Sequence, residues 1–280
     1  MNRQELSTLI QHTPTETWNE SHIHDITKIK EYEDLSYRQV KKKFEETFLS
    51  QLLEYPHSSI KGLEQFTHVD SIIGCTQFID NIYQSHGKNV LVLENDYDYH
   101  KQIRGDSVKI EDIKHLKRDS HIILSVPQAH CCGIPDLYDP ILEVADMLGI
   151  HIHLDLAWWT ISKGLNIDLT HKCIETIGTS LSKPFSLSRN KIGIRLSKTK
   201  MNDAVAVHNK RNLVPFSLLK IGLSYLEQNK ISYMWDSYGD VYTQICKTCK
   251  MRPLPIFFMA GDLGKGNRHI NLAIEKLHNW

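Results

Sequence analysis

TSLSKPFSLSRNKIG (179–193) is the stretch on which the reading of this 280-residue chain turns. Its lysine, Lys183, stands among Ser180, Ser182, Pro184 and Phe185, so it is not the lysine of a solvated face. A lysine held among small and apolar neighbours gives up its charge readily, and a neutral amine suits imine chemistry. Ser180, just before it, and Lys191, further on, are placed to turn back toward one anion. TIGTSLSK (176–183) and KIGIRLS (191–197) read as two strands flanking this run.

Working outward, the same rhythm extends upstream. HVDSII (68–73), NVLVLEN (89–95), HIILSVP (121–127) and IHIHLDLAWW (150–159) are apolar runs of strand length. FIDNIYQSHG (78–87) and LYDPILEVADMLG (137–149) are helical, and each stops at a glycine suited to a C-terminal cap. Strands alternating with helices predict an α/β domain with a mostly parallel sheet covered on both faces. Before it, Val40, Phe44, Phe48, Leu49 and Leu52 recur at helical spacing after a potential N-cap, Ser36. Residues 1–35 read as a polar arm with one helical turn near Leu6. After about Lys200 the rhythm fades into a helix at 213–228, a strand at LPIFFMAG (254–261) and a terminal helix from Asn271. The expected organisation is an arm and helix over 1–60, a large domain core over 61–205, and a small C-terminal α+β subdomain over 206–280.

Three upstream segments complete a constellation with Lys183. GCTQ (74–77) hands a strand over to a helix, so the amides of Cys75 and Thr76 and the Thr76 hydroxyl would face an anion, with Gly74 allowing close approach. HLDLAWW (153–159) places one acid, Asp155, in an apolar strand, which is costly unless a cation meets it. VPQAHCCGIPD (126–136) is a loop leaving a strand end, where ligands of open α/β sheets bind.

Taken in order, these segments resemble the core of the class I/II aminotransferases, fold type I of the pyridoxal-phosphate enzymes, over about Val69 to Ser197. Ser-Leu-Ser-Lys-x-Phe-x-Leu at 180–187 and Asp-x-Ala plus an aromatic at 155–158 carry the resemblance. It implies that Lys183 holds pyridoxal 5'-phosphate as a Schiff base and shuttles a proton, and that Asp155 pairs with the pyridine nitrogen. Ala157 would lie on one face of the ring and Tyr97 on the other; Gly74, Cys75, Thr76, Ser180 and Lys191 would hold the phosphate. The chain departs from the family's pattern in placing Trp158 where a tyrosine is usual, Lys191 where arginine is usual, and Ala129 and His130 where an asparagine meets the cofactor. Arg268, in GKGNRHINLAIEKL (264–277), would clamp a substrate carboxylate, with His269 as the alternative.

The expectation is a cytoplasmic, homodimeric enzyme acting on an amino acid or amine, as an aminotransferase. The alternatives on the same fold are a decarboxylase, lyase, racemase or oxidase. A rival reading takes His151, His153 and Asp155 as a metal-dependent hydrolase site, since alternate strand residues share a face; no completing histidine follows. A sensor or scaffold is a further alternative, opposed by the cost of burying Lys183 and Asp155 without a ligand. Cys246 and Cys249 read as helical cysteines three apart rather than half a zinc site, so no metal is expected.

Bulk properties exclude other classes. Lys plus Arg equals Asp plus Glu at 33 each, so no global charge points to nucleic acid or a membrane surface. No apolar run approaches the ~18 residues of a membrane span, and the N-terminus lacks a signal peptide's apolar region. Six cysteines in a chain this long do not form a disulfide framework.

Overall fold

A computed structural model describes residues 3–10, 21–104, 116–262 and 266–278. In chain order the elements are α1 (Arg3–Thr8), α2 (Ser21–Ile26), α3 (Tyr37–Leu53), β1 (Ser59–Lys61), β2 (His68–Ile72), α4 (Gly74–His86), β3 (Val90–Val92), α5 (Asp98–Arg104) and β4 (His121–Ser125). Then come α6 (Tyr138–Leu148), β5 (His151–Asp155), β6 (Asn166–Asp168), β7 (Ile174–Ser180), β8 (Gly193–Ser197), α7 (Ala204–Lys210) and α8 (Phe216–Gln228). The chain closes with α9 (Tyr233–Cys249), β9 (Arg252–Pro253), β10 (Met259–Asp262), β11 (Gly266–His269) and α10 (Asn271–His278).

The main sheet has six strands in the order β2-β8-β7-β5-β4-β3. Its pairs are parallel from β7 through β5 and β4 to β3, and β8 alone runs against the rest. Sheet residues alternate between faces. Ile122, Leu124, Ile152 and Leu154 enter the large core, which α3, α6 and α8 cover. The opposite face carries Ile123 beneath α4, whose Phe78, Ile79 and Ile82 form a second apolar layer. Contact there is close: a Cβ on Gly178 of β7 would come within 2.5 Å of the Phe78 ring.

Local signals explain the helices. Ser36 Oγ accepts the Gln39 amide while the Gln39 side chain accepts the Ser36 amide, a capping box that starts α3. Val40, Phe44, Phe48 and Leu52 of α3 then bury one stripe. α6 ends at Gly149 in the left-handed region, φ 68°.

The C-terminal part has its own core, built from α9, α10 and the antiparallel sheet β11-β10-β9, with Leu6 of α1 inserted. α8 lies past residue 206 yet contributes Leu219, Leu223 and Leu226 to the large core. The strand expected over 254–261 forms only from Met259. Before it, Leu254 N donates to Tyr242 Oη at 2.7 Å and Phe257 N to Ile161 O at 3.0 Å, so this run plugs the core instead of joining a ladder. No helix of the described residues is long and apolar enough to cross a membrane.

Candidate active site

A cavity of about 300 Å³ opens at the carboxyl ends of β4, β5 and β7, against the N-terminus of α4. Cys75 and Thr76 of α4, Tyr97, Asp155, Ala157, Trp158, Ser180, Lys183 and Lys191 all line it. Each comes from a segment that the sequence singled out, and the sheet register brings them together.

Asp155 ends β5. Its Oδ1 accepts the Ala157 amide at 2.9 Å, which turns the chain there; the strand expected to continue to 159 stops for that reason. Burial pushes the Asp155 carboxyl up to about 6, helped by the charge of Asp96 and opposed by the Ala157 and Cys75 hydrogen bonds and by Lys183. Burial pushes the Lys183 amine down, with Lys191 adding to this and Asp155 opposing it. Its Nζ lies 5.8 Å from the centroid of the Trp158 ring. Burial also raises the Cys75 thiol well above its usual range, keeping it protonated.

The anion cup is built from backbone. Gly74 adopts φ 75°, and a Cβ there would meet Lys191 Cβ at 3.1 Å, so Gly74 lets the Lys191 stem cross over the helix start. No side chain caps α4 at Ile73. The first amides of α4 therefore remain to serve a ligand.

Two expected residues lie elsewhere. His130 is exposed and does not line the cavity; Ala129 does. Arg268 is buried on β11 with its Nε 3.5 Å from Asp262 Oδ2, and does not line the cavity either. Adjacent strand residues face opposite ways, so His269 points to the other side. Its ring stacks on Phe258 at 6.1 Å, Phe258 meets Trp158 edge-on at 5.2 Å, and the charge of Lys183 adds to burial in lowering the His269 pKa.

The sequence reading missed Asp96, Ser125 and Ser188, which also line the cavity. Asp96 accepts the Ser125 amide at 3.1 Å, tying the ends of β3 and β4 together. Ser125 pairs with Asp155 across the β4–β5 ladder, a relation visible only once the register is known. His151, His153 and Asp155 do not converge: His153 bonds Thr176 and His121 while Asp155 faces the cavity. Cys246 is buried on α9 and Cys249 partly so, and neither is in a disulfide among the described residues.

No protein-family model matches the chain, and no curated protein matches it. Solved structures do. A pyridoxal-phosphate-bound C-S lyase from Staphylococcus hominis aligns with TM-score 0.58 at 10% identity, covering 78% of this chain and 64% of that one. A Thermus thermophilus aspartate aminotransferase double mutant aligns with TM-score 0.56 at 13% identity, over 92% and 79% of the two chains. A tyrosine aminotransferase from Leishmania infantum gives TM-score 0.56 at 12% identity, over 93% and 87%. The chain thus has the fold type I architecture of the aspartate-aminotransferase kind. It spans 64% of the length of the first of these structures.

Proposed function

We propose that the chain is a pyridoxal-phosphate-dependent enzyme acting on an amino acid or amine, as an aminotransferase. One observation carries this reading: a depressed lysine, a raised carboxyl and an uncapped helix N-terminus with a lysine beside it share one cavity at the carboxyl ends of parallel strands.

The residues present fit the cofactor. Ser125 Oγ is buried on the cavity wall without a hydrogen-bond partner among the described residues, and so awaits one. Asp155, destabilised as an anion by burial, would regain its charge against a protonated ring nitrogen. The α4 amides, Thr76 and Lys191 would receive a phosphate. When bound, the cofactor supplies an aldehyde and an electron-withdrawing ring. Lys183, its amine pushed down by burial, would hold the cofactor through Nζ and could there accept or return a proton. Asp155 would keep the ring nitrogen positive, and Trp158 and Tyr97, which line the cavity, would flank the ring and limit water's access to it. Lys191 offers a point charge where an arginine would give a bidentate fork.

The reading extends to a two-fold homodimer in the cytoplasm. Tyr97, 46% exposed at the cavity mouth, is a surface that a second copy would cover. None of the six cysteines is in a disulfide among the described residues, which suits a reducing compartment.

The C-S lyase likeness keeps elimination as a second reading. Purified, cofactor-loaded protein incubated with a panel of amino acids and a 2-oxo acid separates the two. Transfer gives a new amino acid from the oxo acid, elimination releases ammonia without it, and neither product from any amino acid or amine contradicts the proposal.

A further inference from the structure

β5 and α4 both join the cavity to the opposite edge of the sheet. β5 begins at His151 and ends at Asp155; α4 begins at Gly74 and ends at His86. Toward that far edge, roughly 7–13 Å along the strand from Asp155, lies a strip of imidazoles. The His86 ring stacks on His121 at 3.4 Å, and His121 stacks on His151 at 4.6 Å and on His153 at 5.3 Å.

We propose that His86, His121 and His153 form a binding site for a divalent transition-metal ion of the zinc class, separate from the cofactor cavity. One ring nitrogen from each residue lies within 4.8 Å of the other two. His121 Nδ1 and His153 Nε2 are already 3.0 Å apart. Zinc–imidazole bonds of ~2.0–2.1 Å hold ligand nitrogens about 3.3 Å apart, and because an imidazole ligates in its ring plane, His86 would turn out of its stack on His121 to complete the set.

The surroundings fix the rings as ligands. His153 is buried, and its Nδ1 meets Thr176 Oγ1 at 2.7 Å, which turns Nε2 toward the shared point. His151 Nδ1 meets Glu175 Oε1 at 2.6 Å, placing a carboxylate beside the strip. Three nitrogens with no carboxylate among them suit zinc, nickel or copper and not magnesium or calcium. A second group, Asp146, His171 and Cys173, also clusters. There the Asp146 carboxylate is already taken up by the Cys173 amide at 2.7 Å and by His171 at 2.8 Å, a structural tie between α6 and the start of β7.

The test uses the cofactor-loaded full chain, stripped of metal with a chelator and titrated with Zn²⁺ by equilibrium dialysis and elemental analysis. His86→Gln, His121→Gln and Thr176→Val are compared with His171→Gln. The wild type and His171→Gln are expected to hold an ion that His86→Gln and His121→Gln bind at least about tenfold more weakly, with Thr176→Val weakened by about 10–100-fold through lost orientation of His153. His86 ends a helix and is half-buried, so His86→Gln should keep the helical spectrum and cofactor content of the wild type. Zn²⁺ uptake equal in His86→Gln, His121→Gln and the wild type overturns the site, as does a wild type that takes up no Zn²⁺.

Discussion

The Asp155 carboxylate accepts the amide of Ala157 at 2.9 Å, so one short bond both ends β5 and holds a buried acid at the floor of the cavity. That acid is held raised to about 6, and a raised carboxyl has a definite consequence for stability. The folded chain binds its proton more tightly than the unfolded chain does. Its contribution is therefore fully present below pH ~4 and is lost as pH rises through about 6.

Cofactor-free protein should accordingly lose about 2 kcal/mol of stability from this group between pH 4 and pH 7, at 1.36 kcal/mol per pKa unit. Asp155→Asn removes that loss, so denaturant melts of the apo variant at pH 7 should lie above those of the wild type, while its turnover falls sharply. An apo variant no more stable than the wild type at pH 7 would contradict a buried, raised Asp155.

Helix α4 is seated by Gly178. A Cβ there would press into the Phe78 ring, so Gly178→Ala should cost about 1–3 kcal/mol through overpacking. Because α4 carries Cys75 and Thr76 at its start, cofactor retention should weaken with stability. Adding Phe78→Leu to Gly178→Ala should recover part of the melting temperature. A Gly178→Ala protein that melts like the wild type would show that the packing is looser than described.

Much of this site was legible in the sequence because its chemistry is carried by short local motifs. Lys183, Asp155 and the Gly74–Thr76 turn each declare themselves by neighbours within a few residues, and the strand-helix rhythm orders them along one sheet edge. What was not legible depends on register and on long-range packing. Asp96 is one of several acids in the 94–98 run, and only the Ser125 amide above it marks it out. Ser125 meets Asp155 through the β4–β5 ladder, and His121 meets His151 the same way. The 254–258 run has strand composition, yet the large side chains Ile256 and Phe257 are drawn into the small core, and the chain follows them.

Under the proposed function, a substrate carboxylate would be met by β11 in the small subdomain. Arg268 is committed to Asp262, while His269 sits at the end of the Trp158–Phe258 contact chain that starts over Lys183. His269→Gln should raise KM for an amino acid several-fold with kcat less affected, and Arg268→Lys should leave KM near the wild-type value. A sharp KM increase in Arg268→Lys, with His269→Gln unchanged, would return the clamp to Arg268.

Lys183 is proposed as the residue that carries pyridoxal phosphate. Borohydride reduction of the yellow, cofactor-loaded protein, followed by peptide mapping, tests it most directly. A single pyridoxyl group is expected on the peptide containing Lys183 and none in Lys183→Ala treated alike. A pyridoxyl group on Lys191 or any other lysine of the wild type, with Lys183 unmodified, would contradict it.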